Sequence, residues 1–337
     1  MNFALIPLSM KSSILLFFAL ILPWSAFAHG PGKTSDFAGK RVLFIGIDGC
    51  RADALVAAME RGLAPQMKML SESDGGLLTR KFYAGGELDT PTHQPTVSGP
   101  GWTSLLTGVW IDKHGVKDNG FLGAKLRYYP HFMRRIKEAN PTAWCASFVD
   151  WPPIHTVIAD VSRIDDTEFL DEKFTATPDA KRHFVDNPET DIAVRDEALV
   201  SLRTRNPDVM FVYFGQVDEF GHGATDSRAT FSPDSTLYVN AISHVDSHIG
   251  ELIRAMRARP KFSEEDWLVL ITTDHGGRGN GHGGDSDEER NIWLLAHGRV
   301  IPRESLLNNA TPQTALVPMI YHHLGVQPRH EWDPPKP

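Results

Sequence analysis

Three groups of side chains have the types and spacing of metal ligands. Asp48 directly follows an apolar run, where a buried carboxylate is costly unless a cation lies beside it. Asp218 and His222 are four residues apart, so a helical turn or tight loop would direct both toward one ion. Asp274-His275 and the later His282 are each followed by glycines, which permit the backbone to approach an ion closely. Carboxylate together with imidazole is a common donor set for zinc, so these groups predict a metal site.

A fourth segment carries a candidate nucleophile. Ser98 begins the sequence Ser-Gly-Pro-Gly-Trp, and the residues after it have the pattern of a helix. The backbone N–H groups and the dipole at the start of a helix favour an anion, and small residues allow the chain to turn tightly there. Ser98 is therefore predicted to lie where a phosphate group would bind.

Each feature taken alone also has an ordinary structural explanation. Asp48 would cap a following helix, and Ser98 would cap its own helix. Asp218 and His222 would form a surface pair, and the glycine-rich segment 274–284 would be a flexible polar loop. The metal-site hypothesis therefore depends on whether the fold brings these residues together.

The hydrophobic pattern predicts the elements that position them. Continuous apolar, β-branched runs indicate buried strands at 41–47, 209–214 and 267–271, with weaker candidates at 143–149 and 292–296. Amphipathic periodicity indicates helices at 52–64, 191–205, 237–257 and 313–324. This alternation is typical of an α/β fold, and we predict a three-layer sandwich with a mostly parallel central sheet.

Such a fold would gather the four groups at one place. The three clearest strands end shortly before Asp48, Asp218 and Asp274. The carboxyl ends of parallel strands meet at one edge of a sheet, and ligands bind beyond that edge. We therefore expect six metal ligands and one nucleophile to converge.

The set of motifs resembles the alkaline phosphatase superfamily, and within it the type I phosphodiesterase and nucleotide pyrophosphatase branch. The resemblance covers about residues 41–324 and includes Thr107-Gly108 and His114-Gly115 downstream of the nucleophile. It implies an alkaline phosphatase-like fold and a site for two zinc ions. The implied ligands are Asp48, Asp274, His275 and the oxygen of the nucleophile Ser98 for one zinc, and Asp218, His222 and His282 for the other.

Departures from the family pattern bear on the substrate. Family phosphodiesterases usually have a threonine nucleophile followed by an aromatic residue, whereas this chain has Ser98 and Gly99. The Ser-x-Pro-x segment also resembles the sulfatase motif, but Trp102 replaces the arginine that sulfatases require. Phosphorus is therefore favoured over sulfur. Four residues are candidates for lining the substrate pocket, although each also has a structural explanation: Trp102, Asn119, Trp151 and Phe220.

These observations predict a two-zinc hydrolase that cleaves phosphodiester or pyrophosphate bonds through a phosphoseryl intermediate on Ser98. Neutral imidazoles and ionised carboxylates are needed, so activity should fall on acidification. The alternatives are a phosphomonoesterase or phosphonate hydrolase with the same metals, a sulfatase, and a metal-stabilised binding protein without catalysis. The identity of both ions and the oligomeric state are left open.

Composition restricts the partners. The chain has 337 residues, with 34 Lys and Arg against 42 Asp and Glu, a formal net charge of −8. This balance offers no electrostatic footprint for duplex nucleic acid or an anionic membrane. The family resemblance instead implies a small phosphate-ester substrate. Cys50 and Cys145 cannot form a disulfide scaffold, although one bridge is compatible with an oxidising compartment.

The N-terminus has the pattern of an export signal. Lys11 is the single charge before Ala28, and it precedes an apolar run at 14–22 that is too short to span a bilayer. We predict a signal peptide over residues 1–28, cleaved near Ala28, and a periplasmic or extracellular protein. An uncleaved anchor is the alternative. The rest, 29–337, is expected to be one catalytic domain, with the stretch 150–188 as an insertion near the site.

Overall fold

An eight-stranded sheet forms the middle of the protein. The computed structural model describes residues 37–162, 168–176, 188–223 and 228–328. The strands are β1 (Lys40–Ile47), β2 (Gly76–Tyr83), β3 (Cys145–Val149), β4 (Glu172–Thr175), β5 (Val209–Phe214), β6 (Asp266–Thr272), β7 (Asn291–His297) and β8 (Thr311–Pro312). They lie in the order β4-β3-β5-β1-β6-β7-β2-β8, and all run parallel except β7, which is antiparallel to both of its neighbours.

Helices cover both faces of this sheet. They are α1 (Ala52–Glu60), α2 (Pro65–Glu72), α3 (Ser98–Thr107), α4 (Ile111–His114), α5 (Phe132–Ala139), α6 (Pro188–Thr204), α7 (Gln216–Gly221), α8 (Thr236–Arg257), α9 (Asp287–Arg290), α10 (Arg303–Asn308) and α11 (Leu316–Leu324). A π-helical segment (Ile154–Ala159) and two short 3-10 segments (Phe262–Glu264 and Gln313–Ala315) complete the described elements.

The buried strands supply two cores because successive side chains point to opposite faces. In β1, Phe44 joins one core with α3, α5 and α11, whereas Leu43 and Ile45 join the other with α1, α2, α6 and α8. A strand buried on both faces must be apolar throughout, which is why its sequence is continuous rather than alternating. The predicted three-layer α/β sandwich with a mostly parallel sheet is confirmed.

The element boundaries differ from prediction where local signals compete with periodicity. The helix predicted at 52–64 is divided in two, because Gly62 adopts φ +74° and Pro65 begins a new helix. Strand β2 escaped prediction because the charged Arg80 and Lys81 interrupt it, at a shift in its register with β7. The stretch 150–188, predicted as an insertion, contains β4, which extends the sheet beside β3.

The N-terminal segment and the two cysteines were also the subject of predictions. The predicted signal peptide, residues 1–28, lies outside the described residues, and the domain division stays a prediction. Among the helices that the structure describes, none has the length and apolarity needed to cross a bilayer. Cys50 and Cys145 are both buried and both free, so they form no bridge.

Candidate metal centre and nucleophile

Three adjacent parallel strands deliver the acidic groups to one edge of the sheet. β1 lies between β5 and β6, and these strands end just before Asp48, Asp218 and Asp274 respectively. The backbone N–H of Asp48 donates to the carbonyl of Phe214 at 2.9 Å, which extends the pairing past the end of β1. The convergence follows from the strand order, as the sequence pattern predicted.

Asp48 is held by one carboxylate oxygen and presents the other to the site. Its Oδ2 accepts hydrogen bonds from Trp102 Nε1 at 2.9 Å and from the hydroxyl of Tyr213 at 2.5 Å. Its Oδ1 lies 3.5 Å from both Ser98 Oγ and His275 Nε2. Burial, with the negative charge of Asp218 nearby, raises the pKa of Asp48 well above its usual range.

Asp274 and His275 are completely buried beside it. Asp274 Oδ1 accepts from the backbone N–H of Gly49 at 3.3 Å, and its Oδ2 lies 3.2 Å from His275 Nε2. That Oδ2 has no hydrogen-bond partner among the described residues. Burial, and then the charges of Asp48 and Asp218, raise the pKa of Asp274, so a metal-free site strongly opposes its ionisation.

Asp218, His222 and His282 form a second group around one point. His222 Nε2 lies 3.3 Å from Asp218 Oδ2 and 3.0 Å from His282 Nε2, and His282 Nε2 lies 3.6 Å from Asp218 Oδ1. The hydrogen bond to Asp218 raises the pKa of His222 to about 9. A proton therefore occupies this point readily when no metal ion does.

The imidazole rings are oriented with Nε2 toward the cluster. The Nδ1 atoms of His222, His275 and His282 lie 2.9, 2.7 and 2.8 Å from the backbone carbonyls of Asn280, Gly276 and Thr96 respectively. A carbonyl can only accept, so each Nδ1 carries a hydrogen and each neutral ring has its lone pair on Nε2. Lone pairs of His222 and His282 that face each other at 3.0 Å need a proton or a metal ion between them.

The two groups form one continuous cluster because Asp218 belongs to both. Ligand atoms of Asp218, His222 and His282 lie within 4.8 Å of one another, and so do those of Asp48, Asp218 and His275. Asp218 Oδ1 has no hydrogen-bond partner among the described residues. Unpartnered carboxylate oxygens together with directed Nε2 atoms are the donor set of divalent zinc-like ions, so these residues fit such ions.

Ser98 is the first residue of α3 and does not cap it. The N-cap position is Val97, in an extended conformation, so the capping explanation for Ser98 is wrong. Its Oγ instead lies 3.5 Å from both Asp48 Oδ1 and His275 Nε2. The hydroxyl thus combines proximity to the cluster with a position at a helix N-terminus, where developing negative charge is stabilised.

A neighbouring loop covers Gly99, the residue after Ser98. The backbone N–H of Gly99 donates to Asn119 Oδ1 at 2.7 Å. A Cβ at position 99 would lie 2.6 Å from the carbonyl oxygen of Asp118, which is closer than real contacts allow. The aromatic side chain that the family usually has at this position therefore has no room in this chain.

The other candidates for the substrate pocket differ in position. Asn119 is exposed, and its contact with Gly99 places it beside Ser98. Trp151 is half-buried, with its ring 6.5 Å from that of Tyr213. Trp102 offers no surface to a substrate because it is fully buried, and its indole N–H is directed at Asp48. Phe220 is half-buried and packs in the core on the opposite face of the sheet from Trp102.

Sequence reasoning missed the residues that support the ligands. Tyr213 was treated as part of an apolar strand, although a hydroxyl near the end of a buried strand requires a partner, and that partner is Asp48. Nothing in the sequence around Thr96 indicated its role. Its carbonyl accepts from His282, and its Oγ1 donates to the carbonyl of Gly284 at 2.8 Å and accepts from the N–H of Gly283 at 3.1 Å.

Two acids that were also missed, the buried Asp191 and the half-buried Asp150, fix the start of α7. The backbone N–H of Gly215 donates to Asp191 Oδ1 at 3.2 Å and to Asp150 Oδ2 at 3.4 Å. Burial raises the pKa of both carboxyl groups, and the two are hydrogen-bonded to each other. They anchor the turn that leads from β5 to Asp218, three residues farther on.

The sequence profile of the type I phosphodiesterase/nucleotide pyrophosphatase family matches residues 42–281. The chain belongs to this family. A curated relative, an uncharacterized pyrophosphatase/phosphodiesterase of Schizosaccharomyces pombe, is 24% identical over 265 residues. That match covers 75% of this chain and 47% of the relative, so the chain spans about half the length of the family member it matches.

Solved structures share the fold of this family member at low sequence identity. Murine ectonucleotide pyrophosphatase/phosphodiesterase 5 superposes with a TM-score of 0.57 and 15% identity, over 86% of this chain and 97% of that one. A phosphonate monoester hydrolase of Silicibacter pomeroyi gives 0.58 and 17%, over 85% and 73%. A Bacteroides thetaiotaomicron protein described as a putative sulfatase gives 0.61 and 13%, over 88% and 73%. These likenesses establish an alkaline phosphatase-like fold.

Proposed function

We propose that the chain is an exported two-zinc phosphoesterase that cleaves phosphodiester or pyrophosphate bonds through a phosphoseryl intermediate on Ser98. The observation that carries the proposal is the set of three imidazoles whose Nε2 atoms are directed at three carboxylates, with Ser98 Oγ at the edge of the same cluster. Family membership supports this chemistry. Export rests on the signal-like sequence of residues 1–28.

The ligand assignment follows the two groups of residues. Asp48, Asp274 and His275 would hold the ion next to Ser98, and Asp218, His222 and His282 would hold the second ion. When bound, the pair would supply Lewis-acid charge that favours the serine alkoxide and neutralises phosphoryl oxygens. We propose zinc for both ions, because carboxylate and imidazole donors together fit zinc best.

The residues around Ser98 would then perform the transfer. Ser98 Oγ loses its proton to solvent and attacks phosphorus, and the ester leaving group departs with the electron pair of the broken bond and takes up a proton from solvent. The phosphoryl group is carried on Ser98 until water removes it. The N-terminus of α3 stabilises the phosphoryl oxygens. One of these oxygens takes the place of Asn119 Oδ1 on the N–H of Gly99, and the side-chain amide of Asn119 turns to donate to it.

Replacement of Asn119 with aspartate tests that exchange. A carboxylate would accept from the N–H of Gly99 and repel the incoming phosphoryl group, so we expect kcat/KM for an aryl phosphodiester to fall by roughly 10²- to 10³-fold. Asn119→Ala should lose less, because it removes a donor without adding a charge. Asn308→Asp, on the exposed helix α10, is the matched control. Equal losses in the aspartate and alanine variants would contradict the exchange.

The apparent zinc affinity should depend on pH through His222. The pKa of His222 is raised to about 9, so its imidazole is protonated in the metal-free protein below that pH and must lose the proton to bind zinc. For the ion held by Asp218, His222 and His282, we expect the affinity to fall by about tenfold for each unit that pH decreases between roughly 8 and 6. Titration with a competing chelator measures this slope. His222→Gln should reduce it and His244→Gln should not, whereas a flat profile in the wild type would exclude His222 as a ligand.

A matched substrate panel tests the proposed reaction. Purified mature protein is stripped of metal, reloaded with zinc, and given an aryl phosphodiester, an aryl phosphate monoester and an aryl sulfate with the same leaving group. Zinc-dependent diester cleavage that exceeds the other two supports the proposal. Dominant monoester turnover would identify a phosphatase instead. Sulfate turnover, or no turnover despite bound zinc, would overturn the proposal in favour of a sulfatase or a binding protein.

A further inference from the structure

Two neutral donors share one oxygen of Asp48. Trp102 Nε1 donates to Asp48 Oδ2 at 2.9 Å, and the Tyr213 hydroxyl donates to the same atom. Both donor residues are buried, and Trp102 is completely inaccessible. Their rings meet edge to face with centroids 5.0 Å apart, so each ring fixes the other. The side chain of Asp48 therefore has one permitted orientation.

The strand that carries Asp48 is shaped to accommodate the indole. A Cβ added at Gly46 would lie 2.3 Å from Trp102 Cη2 and 2.6 Å from its Cζ3. The three nearest atoms to that position all belong to Trp102. Glycine in the interior of a strand is unfavourable by itself, so its presence here is explained by the space that the indole needs.

We infer that Trp102 is a positioning residue, which fixes Asp48 as a ligand through Oδ1 alone. This inference rests on the proposed role of Asp48 in the metal site. Because Oδ2 is engaged by two donors, Oδ1 is the oxygen left for an ion, and it is the atom that lies 3.5 Å from Ser98 Oγ and His275 Nε2. The substrate-pocket hypothesis for Trp102 is thereby replaced by a role beneath the ligand.

The choice of tryptophan has a chemical consequence. A cationic donor at this position would pair with the Asp48 carboxylate and compete with the metal ion for its charge. Indole and phenol donate hydrogen bonds without adding charge, so the carboxylate is oriented and its negative charge remains available. Hydrogen bonds of this kind to ligating groups typically contribute about 10- to 100-fold to metal affinity.

Trp102→Phe tests the inference because it removes the donor and keeps an aromatic ring. In the full chain, competition with a chromophoric chelator should show two zinc ions in the wild type. In the variant, one ion should bind about 10- to 100-fold more weakly and the other should be unchanged. The variant should also lose kcat with little change in KM, because Ser98 activation depends on the weakened ion. Tyr213→Phe, which removes only a hydroxyl, should act in the same direction.

Trp267→Phe is the matched control. Trp267 is also buried, and its indole donates at 2.8 Å to a carboxylate oxygen, Glu265 Oε2. This pair lies at the start of β6, at the opposite end of the strand from Asp274. Trp267→Phe should leave both zinc affinities unchanged. If Trp102→Phe folds and binds both ions as the wild type does, the inference is wrong although the proposed function stands. If the wild type itself binds no zinc, the proposed function fails first.

Gly46→Ala tests the same arrangement without removing a hydrogen-bond donor. Gly46→Ala should displace the indole and weaken the same zinc ion as Trp102→Phe does. In the Trp102→Phe background, Gly46→Ala should have little further effect, because the atoms it would meet are gone. Additive losses in the double variant would contradict the inference, and so would unchanged zinc affinity in Gly46→Ala.

Discussion

Ser98→Ala is expected to lower kcat/KM for an aryl phosphodiester by roughly 10³-fold or more, since it removes the atom that is proposed to attack phosphorus. Zinc content should be retained, because all six Asp and His side chains of the cluster remain. Steady-state kinetics and metal analysis of the same preparation measure both quantities. The combination of lost turnover with retained zinc separates the nucleophile from the ligands.

Two further serine variants serve as comparisons for Ser98→Ala. Ser98→Thr keeps a hydroxyl and should retain part of the activity, and Ser247→Ala, on the outer side of α8, should retain all of it. Quenching the zinc-loaded wild type during turnover should leave a phosphoryl group on the peptide that contains Ser98. If Ser98→Ala keeps more than about a tenth of wild-type activity, Ser98 is not the nucleophile.

Asp274→Asn is expected to have opposite effects on the metal-free and the zinc-loaded protein. Without metal, Asp274 is a buried carboxyl group whose pKa is raised by burial and by the charges of Asp48 and Asp218, so its ionisation costs stability at neutral pH. Removing that charge should raise the Tm of the metal-free protein by about 2 °C or more. With zinc, the variant lacks a ligand. A 100-fold weaker Kd removes about 2.7 kcal/mol of zinc stabilisation.

The pH dependence gives an independent check on the sign. Because the folded pKa of Asp274 lies above the unfolded pKa, the destabilisation is largest above the folded pKa and is lost as pH falls from there to the unfolded pKa. The Tm difference between variant and wild type, both metal-free, should therefore shrink on acidification. Asp234→Asn, at an exposed aspartate, is the control. A lower Tm in the metal-free variant would mean that the buried carboxylate is stabilising, contrary to the account.

Much of the fold was predictable because burial on both faces forces a recognisable composition. β5 was predicted with its observed bounds, and β1 and β6 to within a residue at each end. Strands of mixed polarity were not predictable. β2 carries two exposed cations, and β4 has four residues with little apolar content, so their pairing depends on neighbours that a local pattern does not reveal.

The cluster was predictable because strand ends share an edge, whereas its supporting contacts were not. Asp48, Asp218, Asp274 and His275 follow three strands that proved to be adjacent. The orientation of those side chains depends on groups distant in the chain. Tyr213 is 165 residues from Asp48, and Thr96 is 186 residues from His282. Such pairs leave no periodic signal, and the hydrogen bond from Trp102 to Asp48 was unpredictable for the same reason.

The most direct test of the account is diffraction from crystals of the zinc-loaded full chain, recorded on both sides of the zinc absorption edge. Two anomalous peaks about 4 Å apart are expected, one among Asp48, Asp274 and His275 and the other among Asp218, His222 and His282. Ser98 Oγ should lie next to the first peak. The absence of zinc from this cluster, or its presence only at other residues, would contradict the two-metal site on which the proposed reaction depends.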